Sequence, residues 1–226
     1  MSDIVAVIPA YQEAPRIGAV VEAARAHLPV LVVDDGSTDG TADRARRAGA
    51  EVISLDRNQG KGAALRAGFR RALEDGREAA LTLDADGQHD PTEIPTFVAA
   101  FASERPDLVV GRRDFTRMPP IRRLANRLGR LALSRAIGRD IPDNQSGFRL
   151  VSRRLMEATL ESRASGFEFE VEMIARCVAL GYGLEWVPIR TIYAGEPSHI
   201  RPLTHIGGFL RASLAARRLV RDARGS

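Results

Sequence analysis

Two aspartates one residue apart, followed by an amide side chain two residues on, give the chain its sharpest chemical signal: Asp84-Ala85-Asp86-Gly87-Gln88. A hard divalent cation is held by one or two carboxylates together with phosphate oxygens. Such an ion neutralises the charge that grows on a diphosphate as it leaves a carbon centre. If the segment runs extended, alternation places Asp84, Asp86 and Gln88 on one side, facing one ion. Asp90 has a plainer use, because it precedes Pro91 and suits a helix cap.

Two further clusters have the composition of a binding site. Asp34-Asp35-Gly36-Ser37-Thr38-Asp39-Gly40-Thr41 sets two acids side by side, which costs repulsion, so Asp35 is expected to face a base or ribose. Ser37, Thr38 or Asp39 then caps the next helix. In Asn58-Gln59-Gly60-Lys61-Gly62 the glycines permit close backbone approach, and Lys61 is placed to meet a phosphate. The cluster lacks the G-x-x-x-x-G-K-[ST] spacing of a P-loop. Cys177, the one cysteine, sits among Met173, Ile174 and Val178 and reads as a small buried hydrophobe.

The elements that must carry these clusters follow from periodicity. Ile4–Ile8, Val30–Val33, Glu51–Leu55, Ala79–Leu83 and Leu108–Val110 read as buried strands. Arg16–Ala26, Thr41–Ala48, Lys61–Leu73 and Pro91–Ala102 read as helices. Near-continuous apolar strands alternating with helices predict an α/β fold with a mostly parallel sheet covered on both faces. The polar clusters all come directly after strands, so they fall on one rim, where such sheets bind ligands. Pro119-Pro120 opens a periodic helix with Ile121, Leu124, Ala125, Leu128, Leu131 and Ala132 on one face, flanked by Arg122, Arg123, Arg127, Arg130 and Arg135. Beyond it come a turn over Pro142–Gly147, a helix near Phe167–Leu180, a strand near Leu184–Ile189, a loop through Ser198–Pro202 and a basic helix over Ile206–Arg224.

Composition narrows the class. At 44% hydrophobic and 27% charged, the chain reads as a soluble globular protein of one domain. No stretch approaches the ~18 apolar residues of a membrane-spanning helix, and the N-terminus shows no secretory signal pattern. A single cysteine suits a reducing compartment, so a cytoplasmic location is expected. The balance of +4 is nearly all arginine, and aromatic residues are sparse, which leaves no stacking platform for nucleic acid. A dehydrogenase is excluded because no G-x-G-x-x-G follows the first strand.

Taken in order, Val7-Ile8-Pro9-Ala10-Tyr11-Gln12-Glu13, Val32-Val33-Asp34-Asp35-Gly36-Ser37-Thr38-Asp39-Gly40-Thr41, Asn58-Gln59-Gly60-Lys61-Gly62 and Leu83-Asp84-Ala85-Asp86-Gly87-Gln88-His89 resemble glycosyltransferase family 2, which has the GT-A fold. Within it the chain looks most like dolichyl-phosphate mannose synthase and the bacterial polyprenyl-phosphate sugar transferases. Gly111-Arg112-Arg113, Met118–Arg123, Asp143–Leu150, Phe169–Met173 and Ser198-His199 extend the resemblance over about residues 4–202. It implies an inverting transfer from a nucleotide diphosphate sugar to a polyprenyl or dolichyl phosphate. Pro9, Tyr11, Glu13 and Asp35 would hold the nucleoside, and Lys61 and Asp84 would lie by the nucleotide and sugar. Asp86 and Gln88 would bind Mg or Mn as the cofactor. A lipid phosphate is already ionised, so arginines rather than a strong base are wanted, and Arg113, Arg122, Arg123 and Arg149 match that need.

The chain departs from the mannose synthase pattern at Ser198-His199, where that pattern has an arginine followed by Ser-Lys; a diphosphate contact is carried over to this pair. Many relatives also have transmembrane helices after the catalytic domain, which this sequence does not show. The expected organisation is a GT-A domain over 1–205 and a basic amphipathic helix over 206–226, the latter suited either to an anionic membrane surface or to packing on its own domain or a dimer partner. Two rival functions remain on sequence: transfer to a hydroxyl acceptor, with Glu170, Glu172 or Asp143 as the base, and a nucleotide-sugar-binding module without turnover.

Overall fold

The computed structural model describes residues 3–114, 120–190 and 213–221, without the side chains of 120–126 and 128. Seven strands form one sheet: β1 (Ile4–Ala10), β2 (Val30–Asp34), β3 (Glu51–Ser54), β4 (Ala79–Thr82), β5 (Leu108–Arg113), β6 (Arg149–Ser152) and β7 (Leu184–Ile189). Their spatial order is β3-β2-β1-β4-β6-β5-β7. The first four are parallel to one another, and β5 pairs parallel with β7. The helices are α1 (Ile17–Arg25), α2 (Thr41–Arg47), α3 (Lys61–Glu74), α4 (Ile94–Glu104), α5 (Pro120–Ile137), α6 (Arg153–Thr159) and α7 (Glu168–Ala179). A last helix, α8, runs over 213–221.

Strand alternation divides the core into two layers. Val5 and Val7 of β1 and Leu31 and Val33 of β2 face Leu65 and Phe69 of α3, with α6 and α7 beyond. Ile4, Ala6 and Ile8 face the opposite way, with Ile17 and Val21 of α1 and Ile94 and Phe97 of α4. β1, β2 and β4 are buried on both faces, which is why they read as unbroken apolar runs. β3, expected as a buried strand over Glu51–Leu55, lies at the sheet edge with Glu51 and Ser54 exposed and Val52 and Ile53 half-buried.

β6 is the element the sequence hid. Arg149-Leu150-Val151-Ser152 has two apolar residues and begins with an arginine, so periodicity gives no strand signal there. It runs antiparallel to both neighbours, with Thr82 opposite Arg149 and Val109 opposite Leu150. The reversal sets the start of β6 beside the end of β4. Residues 143–148 are thereby delivered to the rim where β1, β2 and β4 end.

The helix opened by Pro120 forms as expected, but its inward face is displaced. Leu131 is 46% exposed, whereas Leu133 and Ile137 are fully buried. Those two share a core cluster with Ala216 and Val220 of α8, so the inner face of the terminal helix packs on the domain. Cys177 is a free buried thiol among the core residues of α7. Burial pushes it up to about 12, which suits a small hydrophobe and not a nucleophile.

Candidate active site

The loops after β1, β2 and β3 are sewn together before any ligand arrives. Gln12 sits at a φ of +56°, a left-handed conformation that is uncommon outside glycine. Its N–H donates to Ser37 Oγ at 2.9 Å, and its Oε1 accepts from the Thr38 N–H at 2.9 Å. Asp39 accepts from the N–H of Ala14 and, at the start of α2, from the N–H of Thr41, both at 3.0 Å. The N-cap of α2 is Gly40, which has no capping side chain, so none of Ser37, Thr38 and Asp39 is the cap; Asp39 serves the first N–H of the helix from one residue earlier. Asp35 is buried, and its two carboxylate oxygens accept from the N–H groups of Gln59 and Gly60 at 2.8 Å each.

That arrangement changes the meaning of the glycine cluster. Gly60 has a φ of +92°, and a Cβ there would lie 2.4 Å from the Ser165 carbonyl oxygen. The Gly62 N–H donates to the same oxygen at 2.6 Å. The close approach that these glycines allow is thus to residues 164–165, and their N–H groups are committed within the protein. The phosphate-facing group the sequence offers here is reduced to the Lys61 side chain.

Lys61 projects from the first turn of α3 into a charged cluster. Its Nζ lies 2.5 Å from Asp84 Oδ1 and 3.1 Å from Glu170 Oε1. Burial alone would lower the ammonium, but the two carboxylates together raise it above its ordinary value. Burial likewise opposes ionisation of Asp84, yet the Lys61 charge, ahead of His89, brings its carboxyl down to about 2. Both groups are charged. Gly147 closes the cluster from behind: a Cβ there would stand 2.7 Å from both Asp84 oxygens and 2.8 Å from Lys61 Nζ.

The metal motif is not extended. β4 ends at Thr82, and the chain turns over residues 85–87, where Gly87 has a φ of +76° and Asp86 Oδ1 accepts from the Gln88 N–H at 2.9 Å. The alternation argument for Gln88 therefore fails, and its side chain is exposed at the rim. His89 folds back beneath the turn, its Nδ1 accepting from the Asp84 N–H at 3.0 Å. Burial, partly opposed by Asp84, lowers its pKa, so the ring is the neutral acceptor that this bond requires. Asp90 caps the next turn, as expected, accepting from the Thr92 N–H at 3.0 Å.

A cleft of about 240 Å³ opens over these groups, lined by Pro9, Tyr11, Glu13, Asp35, Asn58, Gly60, Lys61, Asp84 and Asp86 among others. Across the rim, Arg113 forms a two-bond fork on Asp143, Nε to Oδ2 at 2.8 Å and Nη2 to Oδ1 at 3.0 Å. A family model described as glycosyl transferase family 2 matches residues 5–160. The chain belongs to glycosyltransferase family 2. It is 32% identical to an undecaprenyl-phosphate mannosyltransferase of Micrococcus luteus, over 82% of each chain. It is also 32% identical to a UDP-N-acetylglucosamine–dolichyl-phosphate N-acetylglucosaminyltransferase of Methanococcus voltae, over 83% of this chain and 84% of that one. Among solved structures it resembles glucosyl-3-phosphoglycerate synthase of Mycobacterium tuberculosis in complex with Mn2+ and UDP-glucose. The TM-score is 0.72 at 26% identity, covering 95% of this chain and 78% of that one. The architecture is GT-A.

In this family 2 glycosyltransferase the structure brings Pro9, Tyr11, Glu13, Asp35, Lys61, Asp84 and Asp86 to one cleft. Arg149 does not join them. It is fully buried, and its guanidinium donates to the carbonyls of Ser146 at 2.8 Å, Glu170 at 2.5 Å and Asn144 at 3.4 Å. Its expected contact with substrate is corrected to a supporting role, because no donor of a fully enclosed guanidinium reaches the cleft. The side chains of Arg122 and Arg123, and all of Ser198 and His199, lie outside the described residues. Gly147 and His89 are cluster members to which the sequence assigns no role, and Glu170, a possible base on sequence, is instead a partner of Lys61. His89 stands in the motif itself, while Glu170 and Gly147 are brought in by α7 and by the reversal of β6.

The donor set suits a hard divalent ion that completes its shell with phosphate oxygens. Asp86 is half-buried at the mouth, with one oxygen on the Gln88 N–H. Among the described residues no three His, Cys, Asp or Glu converge as an all-protein cage.

Proposed function

We propose that this glycosyltransferase moves a sugar from a nucleotide diphosphate sugar to a polyprenyl phosphate, with inversion and with Mg or Mn at Asp86 and Asp84. The observation that carries the acceptor class is the state of the three carboxylates that could serve a hydroxyl as base. Glu170 is paired with Lys61, Asp143 with Arg113, and Glu172 with Arg176 at 2.7 Å. A carboxylate held by a cation is a weakened base, and an ionised lipid phosphate needs none. The names of the Micrococcus and Methanococcus relatives support the same acceptor class.

The roles follow from position. Pro9, Tyr11, Glu13 and Asp35 frame the nucleoside, and Lys61 serves the diphosphate. The metal, when bound, offsets the charge developing on the leaving diphosphate. Arg113, held in a fixed plane by Asp143, faces the incoming phosphate, assisted by Arg122 and Arg123. The outer side of α8 lies against the cytoplasmic face of the membrane that holds the lipid.

The test is nucleotide release from GDP-mannose, UDP-glucose and related donors, with Mg or Mn, with and without a short polyprenyl phosphate. Release that requires the lipid phosphate is the expected result. Release stimulated by phosphoglycerate and not by lipid would move the acceptor to a hydroxyl. Asp86→Ala is expected to lower turnover at least about a hundredfold, which is about 2.7 kcal/mol, with the fold intact. Full activity in that variant would remove the metal assignment.

A further inference from the structure

Four cations of the described residues near the cleft, Arg16, Arg113, Arg149 and Lys61, are already engaged by the protein itself. Glu13 holds Arg16 at 2.8 Å, Asp143 holds Arg113, and Arg149 is enclosed by carbonyl oxygens. Lys61 is shared between Asp84 and Glu170. Asp35 and Asp86 add two more negative charges to the cleft wall. A bare nucleotide diphosphate entering here would meet carboxylates first, and the nearest ammonium would be turned toward them.

Lys61 is also the chain's one lysine, among 33 basic residues. An ammonium differs from a guanidinium in being a compact point charge with three donors on a flexible stem, able to exchange partners without satisfying a planar fork. Here it is about one-third exposed at the cleft. Glu170, by contrast, is 5% exposed and fixed in the first turn of α7. The Asp84 side chain, 28% exposed, is therefore accessible to an arriving cation, and Glu170 is not.

We infer that Lys61 is parked between Asp84 and Glu170, and that Glu170 is a positioning residue that keeps the lysine from a metal-free nucleotide. A divalent cation held by the accessible Asp84 carboxylate would take that partner from the lysine. Glu170 retains it at the cleft wall with donors free for a phosphate. Nucleotide and metal are then coupled through this chain's own charges, in addition to any direct contact between them. The inference rests on the nucleotide-sugar reading proposed above, and its test separates the two.

The measurement is the dissociation constant of UDP and of GDP for the whole chain, by calorimetry, in EDTA and with Mn2+. Glu170→Gln keeps the size and removes the charge. It is expected to bind nucleotide about fivefold tighter than wild type in EDTA and to differ little with Mn2+, so that metal dependence shrinks. Adding Lys61→Met to Glu170→Gln should erase the gain. A Glu170→Gln chain with unchanged or weaker affinity in EDTA overturns the inference. Wild-type protein that binds neither nucleotide even with Mn2+ overturns the nucleotide-sugar reading as well. A second measurement needs no variant: amine-reactive labelling of Lys61, read by mass spectrometry, should rise about threefold when Mn2+ alone is added. Unchanged labelling would show that the lysine does not leave Asp84, and would also overturn the inference.

Discussion

Gly147 separates folding from activity at a single Cβ. The atoms a methyl group would meet are the ends of the Asp84 and Lys61 side chains, not backbone, so they can yield and the fold can close around an alanine. What yields, however, is the ion pair at the centre of the site. Gly147→Ala is therefore expected to melt within a few degrees of wild type, a loss of about 1 kcal/mol or less, while turnover falls at least about tenfold. Thermal unfolding and nucleotide release on the same preparation check both halves. An equal loss in both would mean that the position matters for stability alone. The glycine is invisible to sequence reasoning as a site residue, because its importance lies in what stands opposite it rather than in its own chemistry.

Strands and helices are legible in the sequence where burial is two-sided or periodicity long. β1, β2, β3, β4, β5 and β7 all fall where apolar runs place them, as do α1 to α4 and α7. β6 and α6 are not legible, since a four-residue strand that starts with a buried arginine carries no pattern, and its partners are set only by tertiary packing. The candidate site divides along the same line. Residues at the ends of parallel strands can be read from the sequence, whereas Gly147, delivered by β6, is not, and Glu170 of α7 is read as a possible base and not as the partner of Lys61. The alternation that would set Gln88 beside Asp84 and Asp86 stops with β4, because the chain turns over residues 85–87. Cys177 offers a check on how firmly α7 is packed. Buried, and with a thiol pushed up to about 12, it should not react with iodoacetamide in the native chain at pH 8, and should react promptly in denaturant. Rapid native labelling would mean that α7 opens far more often than its packing suggests.

Two helices that share a core cluster, α5 and α8, carry arginines and leucines on their outward sides. On α5, Arg127, Leu131 and Arg135 point outward; on α8, Leu214, Arg217, Arg218 and Arg221 do so, while the inner sides of both helices share a core cluster. Neither residues 115–139 nor residues 213–221 contain an acid. Exposed leucines set among arginines are the composition that lies on an anionic bilayer. No described helix is long and apolar enough to cross one. Cosedimentation should therefore find the protein on vesicles containing phosphatidylglycerol and not on neutral phosphatidylcholine, with binding falling about fivefold for each of Arg217→Gln and Arg218→Gln. Equal binding to both vesicle types would discard this orientation. The reversed strand also constrains how the chain is made. β4 is hydrogen-bonded on its outer side by β6, which lies more than 60 residues further along the chain. During synthesis the four-stranded parallel half therefore emerges with an open, apolar sheet edge, and that edge stays available for wrong pairing until residues 149–152 arrive to cover it.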